Sequence, residues 1–231
     1  MNRYSDTTKC NNPELVVMLT HNDYTADNAE EIFDQCRDSE ANYWGMKEMP
    51  LPPQRMKALY DDMKRSGKTT VLEVVGYTEE AGIRGAYLAA ECGCDILMGT
   101  VFSVRVAEIC HANGIRYMPF VGKTSGRPSV LCGSVEEIMR DAHNALAAGA
   151  DGVDLLGYRY VGDALALNKS LCQSLPGKVC IAGSIDSFQR LNEVKEAGAA
   201  LFTIGGAFFD NKFDGTFCQQ INKVCRYLRN D

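Results

Sequence analysis

Residues 63–76, MKRSGKTTVLEVVG, run from a helical stretch into a glycine and then directly into a β-rich segment. Glycine just past a helix takes the left-handed turn that caps the last carbonyls, because it has no Cβ to clash. The same order recurs in AAECGCDILMG (89–99), CHANGIRYMPFVG (110–122), ALAAGADGVDLLG (145–157) and VKEAGAALFTIGG (194–206). Helix, glycine, strand, repeated along a chain, means parallel strands joined by helical crossovers. Sheets of that kind bind ligands beyond the carboxyl ends of their strands, so function is sought just after each strand.

Working outward, eight strand–helix units fit end to end. The strands read as LVVMLTHND (15–23), NYWGMKEM (42–49), TTVLEVVGY (69–77), DILMGTVF (95–102), RYMPFVG (116–122), GVDLLGY (152–158), VCIAGS (179–184) and LFTIGG (201–206). Thr25 or Asp27 is the expected cap of the first helix, and Pro50, Pro52 and Pro53 turn the chain into the second, which runs to Ser66. Thr78 with Glu79 and Glu80 opens the third, Ser103 the fourth, and Ser134 with Glu137 forms a capping box for the fifth. A sixth helix is expected around Asp163–Ser174, Ser187 caps the seventh, and the last ends near Leu228. The expected fold is α/β, a (βα)8 TIM barrel, as a single domain over residues 1–231. One connection, KTSGRPSVLCG (123–133), is longer than a βα loop usually is, and reads equally as a lid or as an ordinary insertion.

Bulk properties agree. A length of 231 residues suits one such barrel, and 45% hydrophobic residues fill a single large core. A net charge of −6 and a pI near 5.2 argue against a general binder of nucleic acid or of acidic membranes. The opening MNRYSDTTKCNNP lacks the apolar core of a secretory signal, and no apolar run approaches a membrane span. The 10 cysteines form no CxxC pair; Cys92-Gly93-Cys94 falls at a helix end and reads as packing. A reduced, soluble, cytoplasmic protein is expected, with homo-oligomerisation left open.

Strand side chains alternate, and the set facing the helices must be apolar. Leu72 and Val74 then turn Glu73 into the barrel; Val153 and Leu155 turn Asp154 inward; Trp44 and Met46 put Lys47 at the inner mouth. Charge inside a barrel is costly unless paired or working. The three residues form either a satisfied ion pair, Lys47 with Glu73, or a proton-transfer site. His21, Asn22 and Asp23 end the first strand, and Lys123 and Arg159 follow the fifth and sixth; any of these can complete such a site. His111 and His143 fall in helical patterns and read as surface or packing residues. The sharpest signal is late: Gly183-Ser184 directly follows the seventh strand, and Gly205-Gly206 the eighth. Glycines there let backbone N–H groups approach a phosphate, the place where barrel enzymes commonly hold one. Tight turns without a ligand are the plainer alternative.

The chain resembles the ribulose-phosphate-binding barrels, a superfamily of isomerases, epimerases, aldolases and decarboxylases. The likeness covers nearly the whole chain as a fold pattern, with GSID (183–186) and TIGGAFF (203–209) as its specific part. More narrowly, THND (20–23), Lys47, LEVV (72–75), GYR with its GD (157–163), AGSID (182–186) and TIGGAFF resemble a bacterial group of small barrels, some named 4-hydroxythreonine-4-phosphate dehydrogenase. The chain has no GxGxxG after a strand and no histidine set suited to that enzyme's metal. It also departs from the relatives it resembles. It lacks the two-histidine, two-aspartate set of the pentose-phosphate epimerases and the Asp-x-Lys-x-x-Asp of the orotidine-type decarboxylases, and has Ser184 where sialic-acid-pathway epimerases carry a glutamate.

The leading expectation is an enzyme that abstracts a proton beside a carbonyl of a small phosphorylated sugar or sugar acid: an isomerase, an epimerase or an aldolase-type lyase. Glu73 or Asp154 is the base, Lys47 stabilises the enolate or forms a Schiff base, and the glycine turns hold the phosphate with Arg159 and Lys123 as nearby cations. No cofactor is required. A metal-dependent variant would place Mg or Mn on Glu73 and Asp154, with His21 and Asp23 as further ligands. A non-catalytic phosphosugar sensor on the same fold is the reading from another class.

Overall fold

The computed structural model describes residues 12–229. The polar opening segment up to Asn11 lies outside the described residues, and with it most of the stretch read as lacking a signal. Eight parallel strands, β1 (Glu14–Met18), β2 (Tyr43–Lys47), β3 (Thr69–Val74), β4 (Ile96–Gly99), β5 (Arg116–Met118), β6 (Val153–Leu155), β7 (Val179–Ile181) and β8 (Leu201–Ile204), form one sheet. Its order is β6-β7-β8-β1-β2-β3-β4-β5. The ends meet: Asp154 N–H donates to Pro119 O at 2.8 Å and Phe120 bridges in parallel to Asp154, closing a barrel.

Helices alternate with the strands: α1 (Ala29–Cys36), α2 (Pro53–Arg65), α3 (Glu79–Cys92), α4 (Val104–Ala112), α5 (Val135–Ala147), α6 (Ala164–Ser174), α7 (Phe188–Ala197) and α8 (Phe217–Arg229). The glycines that opened the sequence reading all lie at positive φ: Gly67, Gly93, Gly114, Gly149 and Gly198. Side-chain caps form at Thr78, Ser103, Asp163 and Ser187, and Ser134 with Glu137 makes the full capping box. The first helix differs from expectation. It starts at Ala29 with Asn28 at its cap position and no side-chain cap bond. Thr25 is drawn into the barrel wall instead.

The core has two layers. Inside the barrel pack Val16, Met18, Val71, Ile96, Met98, Met118, Cys180 and Leu201. Between barrel and helices lies the larger layer, including Trp44, Met46, Leu72, Val74, Val153 and Leu155. Each such side chain stabilises the fold by roughly 1.5–3 kcal/mol when fully buried. The alternation puts Lys47, Glu73 and Asp154 on the inner face. Cys92 and Cys94 are buried, and burial pushes their thiols up to about 11 and about 12, as a packing role requires.

Candidate active site

The first strand does not run straight to Asp23. After β1, Thr20–His21 pairs antiparallel with Tyr24–Thr25, and the turn between them is made by Asn22 and Asp23 at φ of 49° and 70°. Asn and Asp tolerate this left-handed region because their short polar side chains bond locally. The turn folds Asp23 back over the barrel mouth. Thr25 fixes it there: its Oγ1 donates to Lys47 O and accepts from Lys47 N–H, both at 2.9 Å.

Lys47 is 5% exposed and points up the lumen into this turn. Its ammonium donates to Asp23 Oδ1 and lies 3.5 Å from Glu73 Oε1. Burial alone would lower the Lys47 pKa; the Glu73 and Asp23 carboxylates outweigh it, and the ammonium ends more basic than usual. The expected Lys47–Glu73 pair therefore exists, with Asp23 as a second partner that strand patterning did not reveal. Asp154 lies deeper, 1% exposed, with Oδ1 unpartnered. Burial pushes its carboxyl well above the usual range, Glu73 adds to that, and Lys47 opposes without reversing it. Asp154 is thus shifted toward its protonated form.

The long loop after β5 is ordered. Residues Lys123–Ser125 and Val130–Cys132 form an antiparallel hairpin that carries Arg127 at its tip. Strand β5 is opposite β1 in the barrel order, and the hairpin crosses that diameter. Arg127 Nη2 donates to Glu48 Oε1 at 3.0 Å, its Nε lies 3.5 Å from Asp23 Oδ2, and its guanidinium stacks 5.3 Å from the Tyr24 ring. Behind it, Tyr77 OH donates to Gly126 O at 2.8 Å and lies 2.6 Å from Ser129 Oγ. The hairpin is a strap over the loops that follow β1, β2 and β3.

Beyond the strap opens a cavity of about 710 Å³, lined by Lys47, Asp23, Glu73 and Arg127 on one side. Arg159, Gly183, Ser184, Gly205, Gly206 and Lys212 line the other. Gly183 sits at φ +89°, and a Cβ there would meet Arg159 Cγ at 2.9 Å; a Cβ at Gly205 would meet Thr20 O at 2.9 Å. Both turns thus need glycine, the first for its backbone and its close neighbour, the second for space. The Arg159 guanidinium and the Lys212 ammonium make no hydrogen bond or ion pair with any described residue.

The structure brings together Lys47, Glu73, Asp23, Arg159 and the two glycine turns, with Asp154 beneath. It does not bring in Lys123, which extends from the hairpin into solvent and pairs with Glu137 at 3.8 Å. The alternation of the hairpin strand turns it outward. His21 stands at the rim, 3.1 Å from Asp210 and stacked on Phe209, rather than facing Lys47. His111 and His143 pair on the surface with Asp151 and Ser174. The residues proposed for Mg or Mn do not fit a divalent ion: the Lys47 ammonium takes the place between Asp23 and Glu73. Among the described residues no group of three or more His, Cys, Asp or Glu is arranged to hold a metal. Arg127 and Lys212 escaped sequence reasoning; a lone arginine in an overlong loop at the strands' carboxyl face was the available signal for the first.

No family model matches the chain, and no curated protein matches it in sequence. Solved structures do. Orotidine 5′-phosphate decarboxylase from Pyrococcus horikoshii OT3 superposes with a TM-score of 0.68 at 13% identity, over 94% of this chain and 100% of that one. N-acetylmannosamine-6-phosphate 2-epimerase from Clostridium perfringens gives 0.63 at 14% identity, over 92% of each chain. A glycerol uptake operon antiterminator regulatory protein from Listeria monocytogenes gives 0.57 at 16% identity, over 85% of this chain and 93% of that one. None of these three is a dehydrogenase, and that name gains no support from them. No helix of the described residues is long and apolar enough to cross a membrane. At these identities the likeness is one of architecture: this chain is a (βα)8 barrel.

Proposed function

We propose that the protein is an enzyme that abstracts a proton next to a carbonyl of a small phosphorylated sugar or sugar acid, as an isomerase, epimerase or aldolase-type lyase. One observation carries the reading: a buried ammonium–carboxylate pair, Lys47 and Glu73, opens on the same cavity as two glycine turns and an unpaired arginine. Proton abstraction needs a carboxylate base, a cation where enolate charge develops, and an anchored remote group to orient the carbon acid. Glu73 is the base, since it lines the cavity while Asp154 is buried beneath it. Lys47 faces the enolate oxygen as an ammonium, which favours electrostatic stabilisation over a Schiff base. Backbone N–H groups of the Gly183-Ser184 and Gly205-Gly206 turns, with Arg159, hold the phosphate.

Enzymes on phosphorylated substrates among the structural neighbours support this reading at the level of fold analogy. The antiterminator neighbour favours a second one, a phosphosugar sensor without turnover. A deuterium-exchange screen in D2O over phosphorylated three- to six-carbon sugars and sugar acids separates the two. Solvent deuterium entering one ligand carbon is the expected result. Tight binding with no exchange in any ligand would replace the enzyme by the sensor.

A further inference from the structure

The two halves of the cavity mouth differ in charge. Under the strap, two cations, Lys47 and Arg127, meet three carboxylates, Asp23, Glu48 and Glu73. Both cations are engaged, Lys47 by Asp23 and Glu73, Arg127 by Glu48 and Asp23. Over β6–β8 the balance is reversed. Arg159 and Lys212 are unpaired, while the carboxylates there are taken, Asp186 by Arg190 at 3.0 Å and Asp210 by His21 at 3.1 Å.

Resting on the phosphosugar reading above, we propose that the cavity admits ligands with a single anionic group, a sugar phosphate whose far end is uncharged, and that the Glu48–Arg127 pair is the specificity-determining contact that turns away a second one. A carboxylate or second phosphate under the strap would have to displace Glu48 or Asp23 from Arg127. That leaves a half-buried carboxylate without its arginine beside a new like charge. An uncharged end meets no such penalty, because hydroxyl groups donate to carboxylates that are already neutralised. The excess of carboxylates under the strap rejects the anion; the free cations opposite accept the phosphate.

Titration calorimetry at fixed ionic strength, with inorganic phosphate, sorbitol 6-phosphate and 6-phosphogluconate as probes, tests this. The two six-carbon probes differ in whether the far end is a hydroxyl or a carboxylate. The acid is expected to bind at least about tenfold more weakly than the polyol. Glu48→Gln should narrow that gap at least about threefold, and Arg127→Gln should widen it, so the two variants move in opposite directions. Equal or tighter binding of the acid overturns the proposal, as does an unchanged gap in both variants, while the phosphate site stands. Binding of inorganic phosphate but of neither six-carbon probe likewise overturns it alone. Failure of all three probes removes the phosphosugar reading along with it.

Discussion

Lys47 and Glu73 are direct register partners on adjacent strands, and their charged atoms lie 3.5 Å apart inside the barrel mouth. Neighbouring inward positions on parallel strands face the same lumen, so the pair is set by the sheet rather than by a loop. Two groups mounted this way have their spacing set independently of the loops above them.

Removing the ammonium leaves Asp23 and Glu73 buried without it. Lys47→Met is expected to lower unfolding free energy by about 3–5 kcal/mol, read from urea unfolding, and to abolish solvent exchange into the ligand. Because the two carboxylates hold the amine protonated, borohydride added with substrate should trap no adduct on Lys47. A trapped peptide carrying Lys47 would replace the electrostatic role by a Schiff base.

The two candidate bases separate by substitution. Glu73→Gln should reduce turnover by about 10²–10⁴-fold, whereas Asp154→Asn, which keeps a neutral hydrogen-bonding side chain in the same place, should cost much less. Rate assays on the two variants decide it. Greater loss in Asp154→Asn would move the base to the deeper residue.

Stability against pH reports on Asp154 directly. Its folded carboxyl titrates well above the ordinary 3.8. Between those values the folded chain keeps a proton that the unfolded chain has released, so stability falls as pH rises through that window. Asp154→Asn has no proton to lose. It should match the wild type below pH 3.8 and melt at least about 2 °C higher at neutral and alkaline pH. Superimposable melting curves at every pH would show that the carboxyl is not held neutral.

Gly183→Ala places a methyl 2.9 Å from Arg159 Cγ in a backbone region that disfavours it. A loss of about 1–3 kcal/mol is expected; phosphate is expected to raise the melting temperature of the wild type and not that of the variant. Phosphate protection that survives in the variant would put the anion elsewhere.

The fold was legible because its grammar is local. Five of the eight helix ends announce themselves by a glycine, and each strand by a run whose outer positions are apolar. The same alternation exposed Glu73 and Asp154, since a charge between two outward hydrophobic residues has only the lumen to face, and Lys47, which follows the outward Trp44 and Met46. What alternation cannot see is a chain that leaves its strand. Asp23 reaches Lys47 through a left-handed turn in what reads as continuous strand, and Thr25, with the look of a helix cap, bonds the Lys47 backbone instead. Arg127 and Lys123 sit four residues apart in one loop, yet only the hairpin fold determines that Arg127 enters the cavity and Lys123 faces water. Those placements depend on contacts across the barrel that no short window contains.

The strap also makes the mouth one-sided. Its tip rests on the loops after β1, β2 and β3 and its base on the segment after β6, where Val161 N–H donates to Leu131 O at 3.1 Å, so it roofs that half and leaves a doorway above β7 and β8. For a sugar phosphate seated as proposed, the uncharged tail goes in first and the charged head stays at the threshold. A linker, resin or fluorophore attached through the phosphate would therefore hang in open water, whereas one attached at the opposite end would be walled in. Affinity reagents for this protein are best built from the head outward.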